Sequence, residues 1–225
     1  MSTDEIKKAV AREAALLVQD GMTIGLGSGS TSAHCILSLI ERCRLGLNIR
    51  AVASSNQSAQ LAQKGGIPLI DYNQVEQVDM MLDGADEVDP HNQMIKGRGG
   101  ALVREKILAE MSRERVIMVD ETKLVHQLGK AALPIEMISF GVSATIAHLK
   151  RRGYTGSLRR NQDSSLFVTD NHNYIFDIQL NQPSENPRED HALISAIPGV
   201  VETGFFFDLV SKLIVGFADG QVVVR

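Results

Sequence analysis

At 225 residues, 44% hydrophobic and 22% charged, the chain has ordinary globular composition and room for one large domain or a domain with a smaller companion. A formal charge of -4, no Trp, three Tyr and no basic run exclude a nucleic-acid partner, which would require a Lys/Arg stripe and stacking rings. No stretch reaches transmembrane length, the first residues lack the apolar core of a signal peptide, and Cys35 and Cys43 show no metal-ligand spacing; a soluble, cytoplasmic chain with reduced thiols and no membrane partner is expected.

Ser2-Thr3-Asp4-Glu5 ahead of Ile6, Val10, Leu16 and Leu17 predicts a capped amphipathic helix. Short apolar runs then alternate with helical patterns: strands at residues 22–26, 49–54, 68–70, 78–82 and 116–119, and helices at 33–42, 57–64 and 101–111. Such alternation predicts an α/β fold, an open and mostly parallel sheet flanked by helices. From about Pro134 the rhythm becomes β-α-β-β-α-β, with strands at 134–139, 158–168, 174–180 and 199–206 and helices at 144–151 and 187–197. That order matches a second, smaller ferredoxin-like α+β domain. Residues 213–215 and 222–224 around Asp219-Gly220 predict a hairpin that returns to the first domain. The expected division is therefore 1–132 with 207–225 as the larger domain, and 133–206 as the smaller.

Three segments carry chemistry. Gly25 to Ser32 joins a strand to a helix, and its glycines and hydroxyls suit a phosphate or a carboxylate, although a plain capped turn has the same composition. Ser30 replaces the third glycine of a dinucleotide fingerprint, and no GK[ST] follows, so neither nucleotide pattern is met. Asp83-Gly84-Ala85-Asp86-Glu87-Val88-Asp89 places four acids past an apolar strand, as turn caps, as a ligand edge or as a magnesium site. Lys96-Gly97-Arg98-Gly99-Gly100 opens the helix that bears Glu105. At about 100° per residue, Glu105 falls within the apolar arc of Ala101, Leu102, Leu108 and Ala109. A carboxylate there is either salt-bridged or a tuned base. The six histidines share no metal-binding spacing and are read as structural or exposed, and no nucleophile elbow is present.

Taken in order, these segments resemble the A-type ribose-5-phosphate isomerase family. The matching motifs are GSGST at 27–31, DGADEVD at 83–89, KGRGGALVREK at 96–106 and DETK at 120–123, with LPIEM from Leu133 and AIPGVVETGFF from Ala196. The resemblance implies interconversion of D-ribose 5-phosphate and D-ribulose 5-phosphate through a cis-enediolate, in the non-oxidative pentose phosphate pathway. It implies Glu105 as the base, assisted by Asp83, Asp86 and Lys96. The sugar phosphate would be held by Ser28, Gly29, Ser30, Thr31, Asp83, Gly84, Ala85, Asp86, Lys96, Gly97, Arg98, Gly99 and Lys123. No cofactor and no metal are implied, and the assembly would be a homodimer or homotetramer. Arg98 stands where many members carry glycine.

Overall fold

The computed structural model describes residues 1–180 and 182–225. In chain order they form α1 (Thr3–Leu16), β1 (Thr23–Leu26), α2 (Gly29–Arg44), β2 (Arg50–Ala53), α3 (Asn56–Lys64), β3 (Val78–Gly84), β4 (Glu87–Val88) and β5 (Met94–Ile95). There follow α4 (Leu102–Glu110), β6 (Ser112–Asp120), β7 (Leu133–Met137), α5 (Val142–Arg151), β8 (Thr155–Leu158) and β9 (Tyr174–Gln179). The chain closes with α6 (Pro187–Ser195), β10 (Val200–Thr203), β11 (Phe205–Phe206), β12 (Lys212–Gly216) and β13 (Val222–Val224). These elements make two compact units, the first of Met1–Ala85, Arg104–Leu124 and Asp208–Arg225, the second of Asp86–Val103 and Val125–Phe207.

The first unit is built on a six-stranded sheet in the order β13-β12-β6-β3-β1-β2. Every pairing in it is parallel except the terminal hairpin of β12 with β13. Thr23–Leu26 is buried along its whole length, as expected of a parallel strand covered on both faces. The Ser2 hydroxyl accepts from Glu5 N–H at 3.3 Å while the Glu5 carboxylate accepts from Ser2 N–H at 2.7 Å, which completes the predicted capping box. From α1, Val10, Ala14 and Ala15 join Ile36 and Leu39 of α2 and Ile24, Leu82, Met118 and Ile214 of the sheet in one apolar core. Each large side chain buried there contributes about 1.5–3 kcal/mol relative to exposure.

The second unit holds a four-stranded antiparallel sheet in the order β10-β7-β9-β8. With α5 after β7 and α6 after β9, this is the βαββαβ arrangement that the sequence predicts. Leu149 of α5 and Ile194 of α6 pack with Ile135, Met137, Phe176 and Ile178 to form its core. A small sheet, β11-β5-β4, belongs to the same unit. Residues 86–103, kept with the larger region in the sequence reading, cluster here because β4 pairs with β5 and β5 with β11.

The local differences from expectation have identifiable causes. Residues 68–70 make only an isolated bridge, Ala51 with Leu69, instead of a strand. Of the expected strand at 158–168 only Leu158 lies in a strand, as the last residue of β8; the chain then turns back, with Arg160 bridged to Leu166, because the intervening Asn161-Gln162-Asp163-Ser164 reverses it. The expected strand at 199–206 is split by Gly204 into β10 and β11, which pair with different sheets. No helix among the described residues is long and apolar enough to cross a membrane.

Gly204 N–H donates to Pro134 C=O at 2.7 Å, and Lys96 N–H donates to Gly204 C=O at 2.9 Å. A Cβ at Gly204 would stand 2.5 Å from the Lys96 carbonyl oxygen and 2.8 Å from the Pro134 ring. Gly204→Ala is therefore expected to destabilise the protein by about 1–3 kcal/mol, as overpacking does, read as a thermal midpoint lowered by several degrees.

Candidate active site

In the first unit the loop after β1 is fixed by Asp83, at the end of the neighbouring parallel strand. This side chain is fully buried, and its Oδ1 accepts from Ser28 N–H at 3.1 Å, the Ser32 hydroxyl at 2.9 Å and Gly84 N–H at 2.8 Å. Gly27 makes room for it, since a Cβ there would lie 2.0 Å from Asp83 Oδ1. Gly29, at φ +87° and with nothing within 4 Å of a built Cβ, opens α2 with its backbone uncovered. Ser28 and Ser30 bring hydroxyls to the same turn, and Thr31 lies against Gly84. The arrangement presents backbone N–H groups and hydroxyls at a helix N-terminus, the chemistry of an anion cradle.

Four residues support the loop, and three of them lie outside the sequence motifs. The Lys7 ammonium, from the half-buried side of α1, donates to the Ser30 hydroxyl at 3.0 Å. Ser28 Oγ and Ser54 Oγ are 2.8 Å apart, and the Ser58 hydroxyl donates to Gly27 C=O at 2.6 Å. Ser32 donates to Asp83 as above. Ser32 ends the predicted glycine–serine segment and lies in the first turn of α2. Lys7, Ser54 and Ser58 reach the loop only through tertiary packing, and no local spacing announces them.

Lys123 ends a short 3-10 turn, Glu121–Lys123, directly after β6, the other parallel neighbour of β3. The Asp120 carboxylate caps that turn by accepting from Thr122 N–H at 3.0 Å and from the Thr122 hydroxyl. Glu105 is only 3% exposed, on the face of α4 that buries Leu108 and Ala109, so the angular reading of the helix holds. The face is packed tightly: a Cβ at Gly25 would come within 3.1 Å of the Leu108 side chain, which would have to shift by a few tenths of an ångström to admit it.

In the second unit, Asp86 N–H donates to Ile95 C=O at 2.9 Å and Asp86 Oδ2 accepts from Arg98 N–H at 3.0 Å. Lys96 is 4% exposed, with its ammonium 5.4 Å from the centroid of Phe206, a cation–π placement. Gly97, at φ +105°, and Gly100, at φ +79°, occupy conformations that disfavour a side chain, and Leu102 and Phe167 close against them. The Arg98 side chain and Gly99 are exposed. Glu87 and Asp89 serve structure: Glu87 accepts from the N–H groups of Gly129 and Ala131, and Asp89 from those of His91 and Gln93.

The predicted residues thus divide by unit. Ser28, Gly29, Ser30, Thr31, Asp83, Gly84, Ala85, Glu105 and Lys123 belong to the first, and Asp86, Lys96, Gly97, Arg98 and Gly99 to the second.

Cys35 lies in α2 behind the loop, and burial together with the Asp83 carboxylate pushes its thiol up to about 12. Burial also raises the Cys43 thiol above its ordinary value, although it is only partly covered. Since the thiolate is the reactive form, titration of the folded protein with a disulfide reagent near pH 8 is expected to modify Cys43 slowly and to spare Cys35. Denaturant should then expose both.

Residues 50–220 match the family model described as ribose 5-phosphate isomerase A (phosphoriboisomerase A). The ribose-5-phosphate isomerase A of Protochlamydia amoebophila is 48% identical over 97% of this chain and 94% of its own length. The ribose 5-phosphate isomerase A structure from Methanocaldococcus jannaschii superposes with a TM-score of 0.92 at 38% identity, over 100% of both chains. A D-ribose-5-phosphate isomerase solved in complex with phospho-erythronic acid gives 0.93 at 38% identity, again over 100% of both. With its cradle loop, buried glutamate and glycine-flanked lysine in the order that the motifs predict, the chain belongs to the ribose 5-phosphate isomerase A family.

Proposed function

We propose that Glu105 carries the proton in the interconversion of D-ribose 5-phosphate and D-ribulose 5-phosphate, the aldose–ketose isomerisation of this family. After ring opening the carboxylate takes the proton from C2, and the electron pair moves to form the C1–C2 double bond. The C1 carbonyl oxygen gains a proton, and the result is a cis-enediol or its enediolate. Loss of the O2 proton and return of the carried proton to C1 complete the ketose. One base serves both carbons because they are adjacent and lie on one face of the planar intermediate. Lys96 supplies fixed positive charge for the oxygens on which negative charge develops. Asp83 is committed to the shape of the cradle loop, so Asp86 is the carboxylate we assign to the hydroxyl protons. Ser28 to Thr31 and Lys123 hold the phosphate, and that remote binding energy positions C1 and C2 over the base.

The observation that carries the proposal is a nearly buried glutamate on an otherwise apolar helix face in a chain of this family. The phosphorylated four-carbon acid bound to the solved relative fits the same chemistry, because a carboxylate, like a cis-enediolate, is planar and carries its negative charge on oxygens set side by side. Metal-independent turnover is part of the proposal, and the acidic run supports it by spending its carboxylates on backbone amides and hydroxyls. We also propose a cytoplasmic homodimer or homotetramer working in the non-oxidative pentose phosphate pathway. Exposed Ile138, Phe140, Val168 and Val201 supply apolar area on the second unit for self-association.

Three outcomes are expected in a ribose 5-phosphate to ribulose 5-phosphate assay. Wild-type turnover survives EDTA. Glu105→Gln lowers kcat by about 10²-fold or more, the scale of a lost general base. Lys7→Ala mainly raises KM, by about tenfold, because it removes a charge beside the cradle rather than a reacting group. A fully active Glu105→Gln protein would sink the base assignment, and ligand binding without turnover in the wild type would mark a sugar-phosphate sensor.

A further inference from the structure

Arg159 follows β8, far from every predicted motif, yet its guanidinium is spent on the lysine–glycine loop. Its Nε donates to Asp177 Oδ2 at 2.9 Å and one terminal nitrogen donates to Asp177 Oδ1 at 2.5 Å. The other terminal nitrogen donates to Gly97 C=O at 3.0 Å and to Arg98 C=O at 2.9 Å. The two side chains are 14% and 22% exposed, so the pair is largely withdrawn from water. The residue is anchored as well as charged. Its N–H donates to Ile175 C=O at 2.8 Å, its carbonyl accepts from Phe167 N–H at 3.0 Å, and its guanidinium lies 5.7 Å from the centroid of the Phe167 ring. Phe167 in turn closes against Gly100, the last glycine of the loop.

The Gly97 carbonyl and the Arg98 N–H are the two ends of one peptide unit. Arg159 holds the first end, and the second donates to Asp86 Oδ2 at 3.0 Å. We infer that Arg159, braced by Asp177, is a positioning residue for the isomerisation, setting the Gly97–Arg98 peptide that orients the Asp86 carboxylate. The inference rests on the assignment of Asp86 and the loop made above. Two physical effects act together. The guanidinium fixes the plane of the peptide, which two flanking glycines leave otherwise soft. A charge-assisted bond to the carbonyl also polarises the peptide, so that its N–H becomes a stronger donor to the carboxylate. Lysine could not substitute, since a single ammonium cannot form the fork to Asp177 and reach two carbonyls at once.

The test uses the full chain and the ribose 5-phosphate assay, with thermal midpoints recorded for each variant. Arg159→Ala is expected to lower kcat about 10- to 100-fold, the cost of a misplaced reacting group, with a smaller change in KM. Millimolar guanidinium should restore part of that loss, whereas Arg159→Lys should stay impaired. Asp177→Asn, which leaves the guanidinium in place with a weaker anchor, should lose severalfold in kcat and remains informative should Arg159→Ala fail to fold. Added to Asp86→Asn, Arg159→Ala should cost little more than Asp86→Asn alone, because both act through one carboxylate. Wild-type kcat in folded Arg159→Ala and Asp177→Asn, beside an impaired Asp86→Asn, overturns the inference. So does a loss that multiplies in full with Asp86→Asn and ignores guanidinium, the behaviour of a structural brace. Wild-type kcat in Asp86→Asn overturns the assignment of Asp86 itself.

Discussion

Asp83 Oδ1 gathers the Ser28 N–H, the Ser32 hydroxyl and the Gly84 N–H on one buried oxygen, and Gly27 has no side chain because that oxygen occupies its place. A carboxylate out of water is costly unless its donors are supplied, and removing its partners leaves a penalty of several kcal/mol. Here the donors come from the turn it organises, so the loop after β1 and the end of β3 each satisfy the other. The chain can therefore expose backbone N–H groups at the start of α2 without the turn collapsing onto them. Ser54 and Ser58 extend the same logic from the end of β2 and the start of α3, tying the loop's hydroxyl and its carbonyl to a neighbouring crossover.

Much of this was legible in the sequence. The parallel sheet followed from strands and helices alternating at short spacing, and the βαββαβ order of the second unit from its turn signals. Glu105 could be found by angle alone, because only one residue breaks the apolar face of α4. Other features were not legible, for reasons that lie in long-range geometry. Lys7 looks like any solvated lysine on an amphipathic helix until the helix docks. Arg159 lies in a turn region whose residues read as a continuous strand. Gly204 reads as a strand residue, and only the assembled sheets show that it separates two pairings. In the acidic run the local pattern marked a candidate segment but could not sort its members, since Asp83, Asp86, Glu87 and Asp89 differ only in which groups they meet.

The two glycine loops solve a similar problem with different chemistry. The first cradles with amides and hydroxyls held by an anion, Asp83. The second is held from behind by a cation, Arg159, through carbonyl oxygens. The opposite signs match the peptide ends that each must restrain. A carboxylate can organise N–H groups, and a guanidinium can organise C=O groups; in the second loop this leaves the Arg98 N–H to meet Asp86. Lys96, with its stem buried and its ammonium over Phe206, then stands in a shell where few water dipoles dilute its field.

The order of the first sheet has a consequence for how the chain is made. β12 lies between β13 and β6, and it comes from Lys212–Gly216, near the carboxyl end of the chain. While the polypeptide is being synthesised from its amino end, β6 has β3 on one side and nothing on the other, an open edge that includes Val116 to Val119. The second unit has all of its strands by Phe206 and can mature first. The first unit must wait with an apolar edge uncovered, the kind of surface that recruits unwanted strands. Closure comes when Lys212–Gly216 arrives and pairs with β6 from Val116 to Asp120.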